Sequence, residues 1–456
     1  MNTGMILIAF ILALAFVLTS IIKFNLHPFL ALLVGGMLMG VVSGLNIAEV
    51  IAELAKGFGN TMASIGILII CGIILGNLLH ESGCMEEIAS LFINTLGEKN
   101  TNTAMNLTGF IVSIPVFFDA AFVILVNLAK SISQKAKIPF VSLVSALGVG
   151  LIITHAMVIP TPGPTAVAGT MDANVGWFIF YGVIVALIGS LIGGVVYGKR
   201  LGKTDEFKNN FAQEFEIEEE VKHTGKRPSG GTGIALILMP IILILAGTVG
   251  GMLVEEGTGI ATFFKVIGDK NFALIVSVFV SYFVLKDYLE KPLNEIVNES
   301  TLDAGSILAI TGAGGSFGAI IGMSNIGEVI VNSLGSLTDS SAMAGVIAAS
   351  FLISVLLRVA QGSTTVALVT TSAIFAPIVA GLPSVSPILV GLAICAGGAG
   401  FSLPNDSGFW VVNRFTGFTV KQTLKAWTGA ASVGSIACFI VIMIMSMFAN
   451  VLPGLL

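Results

Sequence analysis

Charge is what this chain has least of. Asp, Glu, Lys and Arg supply only 10% of its 456 residues, against roughly 25% in an ordinary soluble domain, so a water-soluble fold is excluded for most of the sequence. Polar–apolar alternation is missing as well: the apolar runs continue far beyond the ~10 residues of an outer-membrane strand, which excludes a β-barrel. Cysteine is sparse. Cys71, Cys84, Cys395 and Cys438 form no CxxC pair and mostly sit in apolar runs, so they read as small packing residues. The formal net charge of -5 lacks the basic excess that a nucleic-acid partner needs. HExxH, GxSxG and a Walker-type phosphate loop are absent from any fitting context, which leaves hydrolytic and ATP-driven chemistry without residues; no cofactor or metal is expected. The opening Met1-Asn2-Thr3-Gly4 has no basic n-region, so the apolar run to Ile22 is expected to be a spanning helix and not a cleaved signal.

What is present is apolar and rich in small residues. The chain is 55% hydrophobic with 54 glycines, the composition of membrane helices whose backbones approach closely; Gly36, Gly40 and Gly44 have the small-xxx-small spacing of such packing. Runs near the ~20 residues that a bilayer demands extend over Gly4 to Ile22, Pro28 to Gly44, Thr61 to His80, Gly176 to Gly198, Gly233 to Val254, Asn271 to Leu285, Leu302 to Ile321 and Trp427 to Phe448. Two further stretches are interrupted. Ala104 to Ile132 is broken by Ile114-Pro115-Val116-Phe117-Phe118-Asp119 into limbs too short to cross, which predicts a re-entrant hairpin. Val141 to Thr170 is broken by Pro160-Thr161-Pro162-Gly163-Pro164, which predicts an unwound spanning helix.

The second half repeats the first at an offset of about 243 residues. Gly72 to Gly76, Ser82-Gly83 and Glu87-Ile88 align with Gly314 to Gly318, Ser324-Asn325 and Glu328-Val329. Phe118-Asp119 aligns with Gln361-Gly362, and Pro160 to Pro164 with the stretch Leu403-Pro404-Asn405-Asp406-Ser407-Gly408. Each half then has five crossings and one hairpin. An odd number inverts the second copy. The expected fold is an all-α polytopic membrane protein of two inverted-topology repeats, residues 1–198 and 233–456, with about ten crossings and two hairpins. Residues 199–232 form a linker with an acidic run, Glu214 to Glu220, followed by basic residues. With the N-terminus outside, 17 of the 21 basic residues fall on one face, counted along the sequence. The positive-inside rule makes that face cytoplasmic and both termini periplasmic.

Broken helices at matching positions leave backbone groups that must face protein or a wetted cavity, so the breaks and tips mark the candidate solute site. Asp119 at the first tip is a costly intramembrane carboxylate, read either as a proton or cation carrier or as a cap for nearby amides. Thr161, Gly163 and Thr165 lie at the first break. The second tip supplies Arg358, Gln361, Gly362, Ser363 and Thr364; Arg358 offers bidentate pairing to a carboxylate or a structural salt bridge to Asp119 or Asp406. Asn405, Asp406 and Ser407 put an amide, an acid and a hydroxyl at the second break. His155, one turn before the prolines, is either titratable or a fixed hydrogen-bond partner.

Three stretches together resemble the gluconate permease family: Phe117-Phe118-Asp119-Ala120-Ala121-Phe122-Val123, His155 to Pro164 reading HAMVIPTPGP, and Asn405-Asp406-Ser407-Gly408-Phe409-Trp410. Asp119 stands where that family usually has glutamate, and Thr161 where histidine often stands. The resemblance implies a proton symporter of the inner membrane that takes up sugar acids or related hydroxy or amino acids. It places the solute at the tips and breaks, Phe118 included, with Asp119, Asp406 and His155 as candidates for carrying the proton. The expected partners are a small organic anion, protons with sodium as the competitor, the bilayer and a second copy in a homodimer. A cation/proton antiporter is the alternative, but Gln361, Ser363, Thr364, Thr161 and Asn405 are many neutral hydrogen-bond groups for a bare cation.

The charge bias predicts opposite accessibility for the first residues and the linker. Single cysteines at Thr3 and Ser229, in a background without other cysteines, should label from opposite faces with an impermeant thiol reagent. Labelling of Ser229→Cys from outside would reverse the orientation.

Overall fold

The computed structural model describes residues 3–24, 26–97, 100–211, 226–255, 257–324, 339–404 and 406–456. Among them all regular structure is helical. The first half runs α1 (Thr3–Ile22), α2 (Pro28–Val42), α3 (Ile47–Glu81), α4 (Cys84–Leu96), α5 (Thr101–Val112), α6 (Phe118–Ala136), α7 (Phe140–Met157), α8 (Pro162–Thr170) and α9 (Val175–Ser190), which passes through a π-helical turn, Leu191–Val196, into α10 (Tyr197–Leu201). The second runs α11 (Gly230–Leu253), α12 (Gly259–Ile267), α13 (Lys270–Leu285), α14 (Leu293–Met323), α15 (Asp339–Gln361), α16 (Thr364–Ala380), α17 (Pro387–Ala399), α18 (Ser407–Thr416) and α19 (Val420–Thr423), which passes through a second π-helical turn, Leu424–Gly429, into α20 (Ala430–Ser446).

Both interruptions read from the sequence are present. The bend at 113–117 separates α5 from α6, and residues 158–161 separate α7 from α8. Pro160, Pro162 and Pro164 remove the amide donors that a continuous helix would need. In the second half the bend at 362–363 separates α15 from α16, and residues 400–406 separate α17 from α18. Asn325, Glu328 and Val329, which the repeat alignment pairs with the start of α4, lie outside the described residues.

Several boundaries differ from the expectation. The helix expected over Thr61 to His80 begins at Ile47, because Asn46 caps it by accepting from the Ala48 amide at 2.9 Å. The one expected from Leu302 begins at Leu293, directly after Pro292. The second limb of the first hairpin is longer than predicted: α6 has 19 residues, about 28 Å at 1.5 Å per residue, because a polar segment continues the helix past its apolar part. Residues 259–267, assigned to no element from sequence, form the short surface helix α12.

Among the described residues, eight helices are long and apolar enough to cross a bilayer, one of them Phe140–Thr170 taken across its break. This is a multi-pass membrane protein. The ten-crossing scheme retains seven of the eight, adds α1, α2 and the broken pair α17–α18, and treats Ala342–Val359 as a hairpin limb.

The core is centred on α7, buried at every residue, and on α17, buried from Ile388 to Ala399. A helix apolar all round belongs in a protein core or in a membrane span. Along one side α3 packs against α14. Gly72 and Gly76, one turn apart on α3, bring that helix onto the interruptions: a β-carbon at Gly72 would sit 2.8 Å from the Pro160 carbonyl oxygen, and one at Gly76 would collide with the Pro115 carbonyl oxygen. The backbone of α3 therefore seats the first bend and the first break together.

Ion pairs dress the helix ends. Lys291 meets Glu299 at 2.9 Å and Glu81 at 3.3 Å, and these carboxylates hold its ammonium above the ordinary lysine range. Arg227, at the end of the linker, lies 4.0 Å from Glu86 and 3.9 Å from Glu87, while Glu206, at its start, pairs with Lys425.

Candidate functional site

The two bends and the second break converge on a cavity of about 180 Å³. Phe117, Phe118 and Asp119 reach it from the first bend, where α6 begins. Gly362, Ser363, Thr364 and Thr365 come from the second bend, with Arg358 one turn before it on α15. Asp406, Ser407 and Gly408 come from the start of α18; Ile152 and His155 come from α7; Trp427 closes the wall.

Three devices fix the polar groups. Gly362 takes a φ of +71°, a left-handed conformation that glycine adopts without strain, and this turns the chain from α15 into α16. Ser363 then caps α16, its hydroxyl accepting from the Val366 amide at 3.4 Å. Asp406 caps α18, its Oδ1 accepting from the Gly408 amide at 3.1 Å.

The dominant electrostatic feature is the ion pair between Arg358 and Asp406. Nη2 of Arg358 donates to Oδ2 of Asp406, and the same oxygen accepts from the Ser402 hydroxyl. The side chains are 1% and 9% exposed, whereas the other ion pairs among the described residues lie nearer the surface. Of the two partners left open for Arg358 by the sequence, Asp406 is the one engaged. The pair uses only part of the guanidinium. Among the described residues Nε and Nη1 are buried without a hydrogen-bond partner, in a group that carries five N–H donors.

Asp119 lies across the cavity on its exposed side, where the Ser407 hydroxyl donates to its Oδ2 at 3.4 Å. The carboxylate lies in the first turn of α6, near the positive end of its dipole. His155 is buried against Phe117, with ring centroids 5.7 Å apart, and its Nδ1 has no partner among the described residues.

The first break is set behind the cavity wall. Thr161, Gly163 and Thr165 are buried but do not line the cavity: Thr161 donates back to the Val158 carbonyl, Gly163 abuts Leu368 of α16, and the Thr165 hydroxyl is buried without a partner among the described residues. Asn405 and the side chain of Gln361 lie outside the described residues. Sequence reasoning missed Ile152, Thr365, Ser402, Gly408 and Trp427 as contributors. Ile152 shares a helical face with His155, three residues on, which is a readable signal. Trp427 looks in sequence like the first residue of an ordinary span.

The sequence matches the family described as GntP family permease over residues 5–448. A gluconate permease of Pseudomonas aeruginosa is 28% identical over 430 residues, covering 94% of each chain. The D-serine transporter DsdX of Escherichia coli (strain K12) is 30% identical over 429 residues, covering 93% of this chain and 95% of that one. The crystal structure of the YdaH transporter of Alcanivorax borkumensis superposes with a TM-score of 0.63 at 14% identity, covering 88% of this chain and 89% of that one, a likeness of fold.

A buried ion pair with spare donors makes the two residues interdependent. Removing either partner leaves an uncompensated buried charge, at a cost of about 3–5 kcal/mol, whereas replacing both by apolar groups removes that penalty. Arg358→Leu and Asp406→Leu should each lower the thermal unfolding temperature of the detergent-purified protein, and the double substitution should recover much of the loss. Additive losses would show that the two side chains do not act as a pair.

Proposed function

We propose that this chain, which belongs to the GntP permease family, is a secondary active transporter for uptake of a small organic acid by proton symport. The observation that carries the reading is the half-used guanidinium of Arg358 in a cavity built by both interrupted segments of the second half and the bend of the first. Its unpaired, desolvated Nε and Nη1 carry N–H donors, on two edges of the guanidinium, that a solute carboxylate can accept from. Around it Ser363, Thr364, Thr365 and Ser407 can meet hydroxyl or amino groups, and Phe117, Phe118 and Ile152 cover a carbon chain. The names of the two relatives point to gluconate and D-serine, which share a carboxylate beside a polar substituent. Gluconate or a related sugar acid, hydroxy acid or D-amino acid suits this cavity.

Of the candidates for moving the proton, Asp119 is favoured. Asp406 is met by three donors, from Arg358, Ser402 and the Gly408 amide, so both its oxygens are already engaged within the protein. Asp119 faces the open side with only a long bond from Ser407, so it can exchange a proton with water and be covered when solute binds. The inverted arrangement of the two halves would give the cavity its two alternate exits.

Uptake of labelled gluconate and D-serine into proteoliposomes under an imposed inward proton gradient, with sodium rigorously absent, tests this reading. The wild type should accumulate at least one of them. Asp119→Asn should abolish accumulation while retaining exchange between equilibrated compartments. An absolute sodium requirement in the wild type, or undiminished accumulation by Asp119→Asn, would contradict proton coupling through Asp119.

A further inference from the structure

We infer that Trp427 is a positioning residue for the ion pair, acting through Ser402, and that the second π-helical turn exists to hold it there; this rests on the reading of Arg358 as the partner of the carboxylate. Trp427 is among the largest fully buried side chains, and its ring lies 4.6 Å from that of Phe118, tilted by 31°. Its Nε1–H donates to the Ser402 hydroxyl at 2.7 Å, and Ser402 in turn donates to Oδ2 of Asp406. The direction of this relay is forced by chemistry. An indole nitrogen can only donate, and a serine hydroxyl has one proton, so once Ser402 accepts from Trp427 its own proton is free for Asp406. Asp406 then presents Oδ2 as an acceptor at a fixed point, and Arg358 is drawn to it with Nε and Nη1 left over.

The backbone around Trp427 is built for a fixed placement. Residues Leu424–Gly429 are π-helical, and single π-turns inside α-helices recur at functional sites. Carbonyl oxygens of that turn find outside partners: Lys425 O accepts from the Tyr197 hydroxyl at 3.1 Å, and Ala426 O accepts from the Ser145 hydroxyl at 2.7 Å. Both donors come from the first half of the chain, so the turn carrying Trp427 is pinned across the junction of the two halves. Within the same turn, the Thr428 hydroxyl donates to the Ser402 carbonyl. Ser402 is thus gripped by residues 427 and 428 at its side chain and its backbone.

Trp427→Phe keeps an aromatic ring against Phe118 and deletes the donor together with part of the ring volume, whereas Ser402→Ala breaks the same relay with little loss of volume. Two readouts on purified protein test the relay. The first needs no solute: the rate of Arg358 modification by phenylglyoxal, followed by mass spectrometry. It should rise several-fold in Trp427→Phe and in Ser402→Ala, with no further rise in the double variant, because both break one chain; Trp177→Phe, remote from the cavity, should not change it. The second is binding of labelled gluconate, which should weaken about tenfold in each single variant and in the double, the size of one lost hydrogen bond to a charged group. If Arg358→Gln binds gluconate like the wild type, the carboxylate reading falls while the modification rates still judge the relay. If Trp427→Phe leaves Arg358 as slow to react as the wild type, or if the Trp427 and Ser402 effects add, Trp427 only fills space and the inference is overturned.

Discussion

A guanidinium and a carboxylate are buried together inside an apolar bundle, and much of the architecture follows from keeping them there. Each ion loses several kcal/mol of hydration, which their mutual attraction offsets only when geometry and further hydrogen bonds are good. For Asp406 those bonds are supplied: Arg358 and Ser402 on one oxygen, the Gly408 amide on the other. Arg358 has Asp406 alone, and its Nε and Nη1 stay unpaired. A hydrophobic pair of the same volume is often at least as stabilising as a buried ion pair. The arrangement makes sense as a receptor whose missing acceptor arrives from outside.

The pair can exist because helices are interrupted around it. Asp406 reaches the cavity as the cap of α18, which begins only because α17 stops at Ala399. Arg358 stands one turn before the bend at Gly362, where α15 gives way to α16. Freed backbone groups at such depth need protein or a wetted cavity to meet them. On the opposite side the first half provides the matching bend, and α3, smooth at Gly72 and Gly76, lets bend and break lie against its backbone. The site is therefore a property of how the halves meet.

That origin explains how much of it could be read from the sequence. Charge scarcity and apolar run length gave the all-helical membrane class, and prolines at positions 115 and 160–164 gave the first bend and the first break, because both signals are local. Asp119, Arg358, Ser363 and Asp406 were legible too, since polar residues in apolar surroundings stand out. The reach of α3 back to Ile47 was missed because its first turns are amphipathic and not long apolar runs. Thr161 and Thr165 were expected at the solute because the proline break is so conspicuous, yet a break can serve by making room, and here it lies behind the wall. Trp427 and Ser402 were invisible for the opposite reason: an indole and a hydroxyl inside apolar sequence look like filling until the fold brings positions 402, 406 and 427 together.

The central claim is that Arg358 receives the carboxylate of the transported solute in this cavity. Isothermal titration of the purified protein with gluconate and with its uncharged amide, gluconamide, addresses it directly, since the two differ only at the group that Arg358 is proposed to hold. Gluconate should bind and gluconamide should not, and in Arg358→Gln the preference for the anion should vanish. Equal binding of the two by the wild type, or an anion preference that survives in Arg358→Gln, would contradict the account.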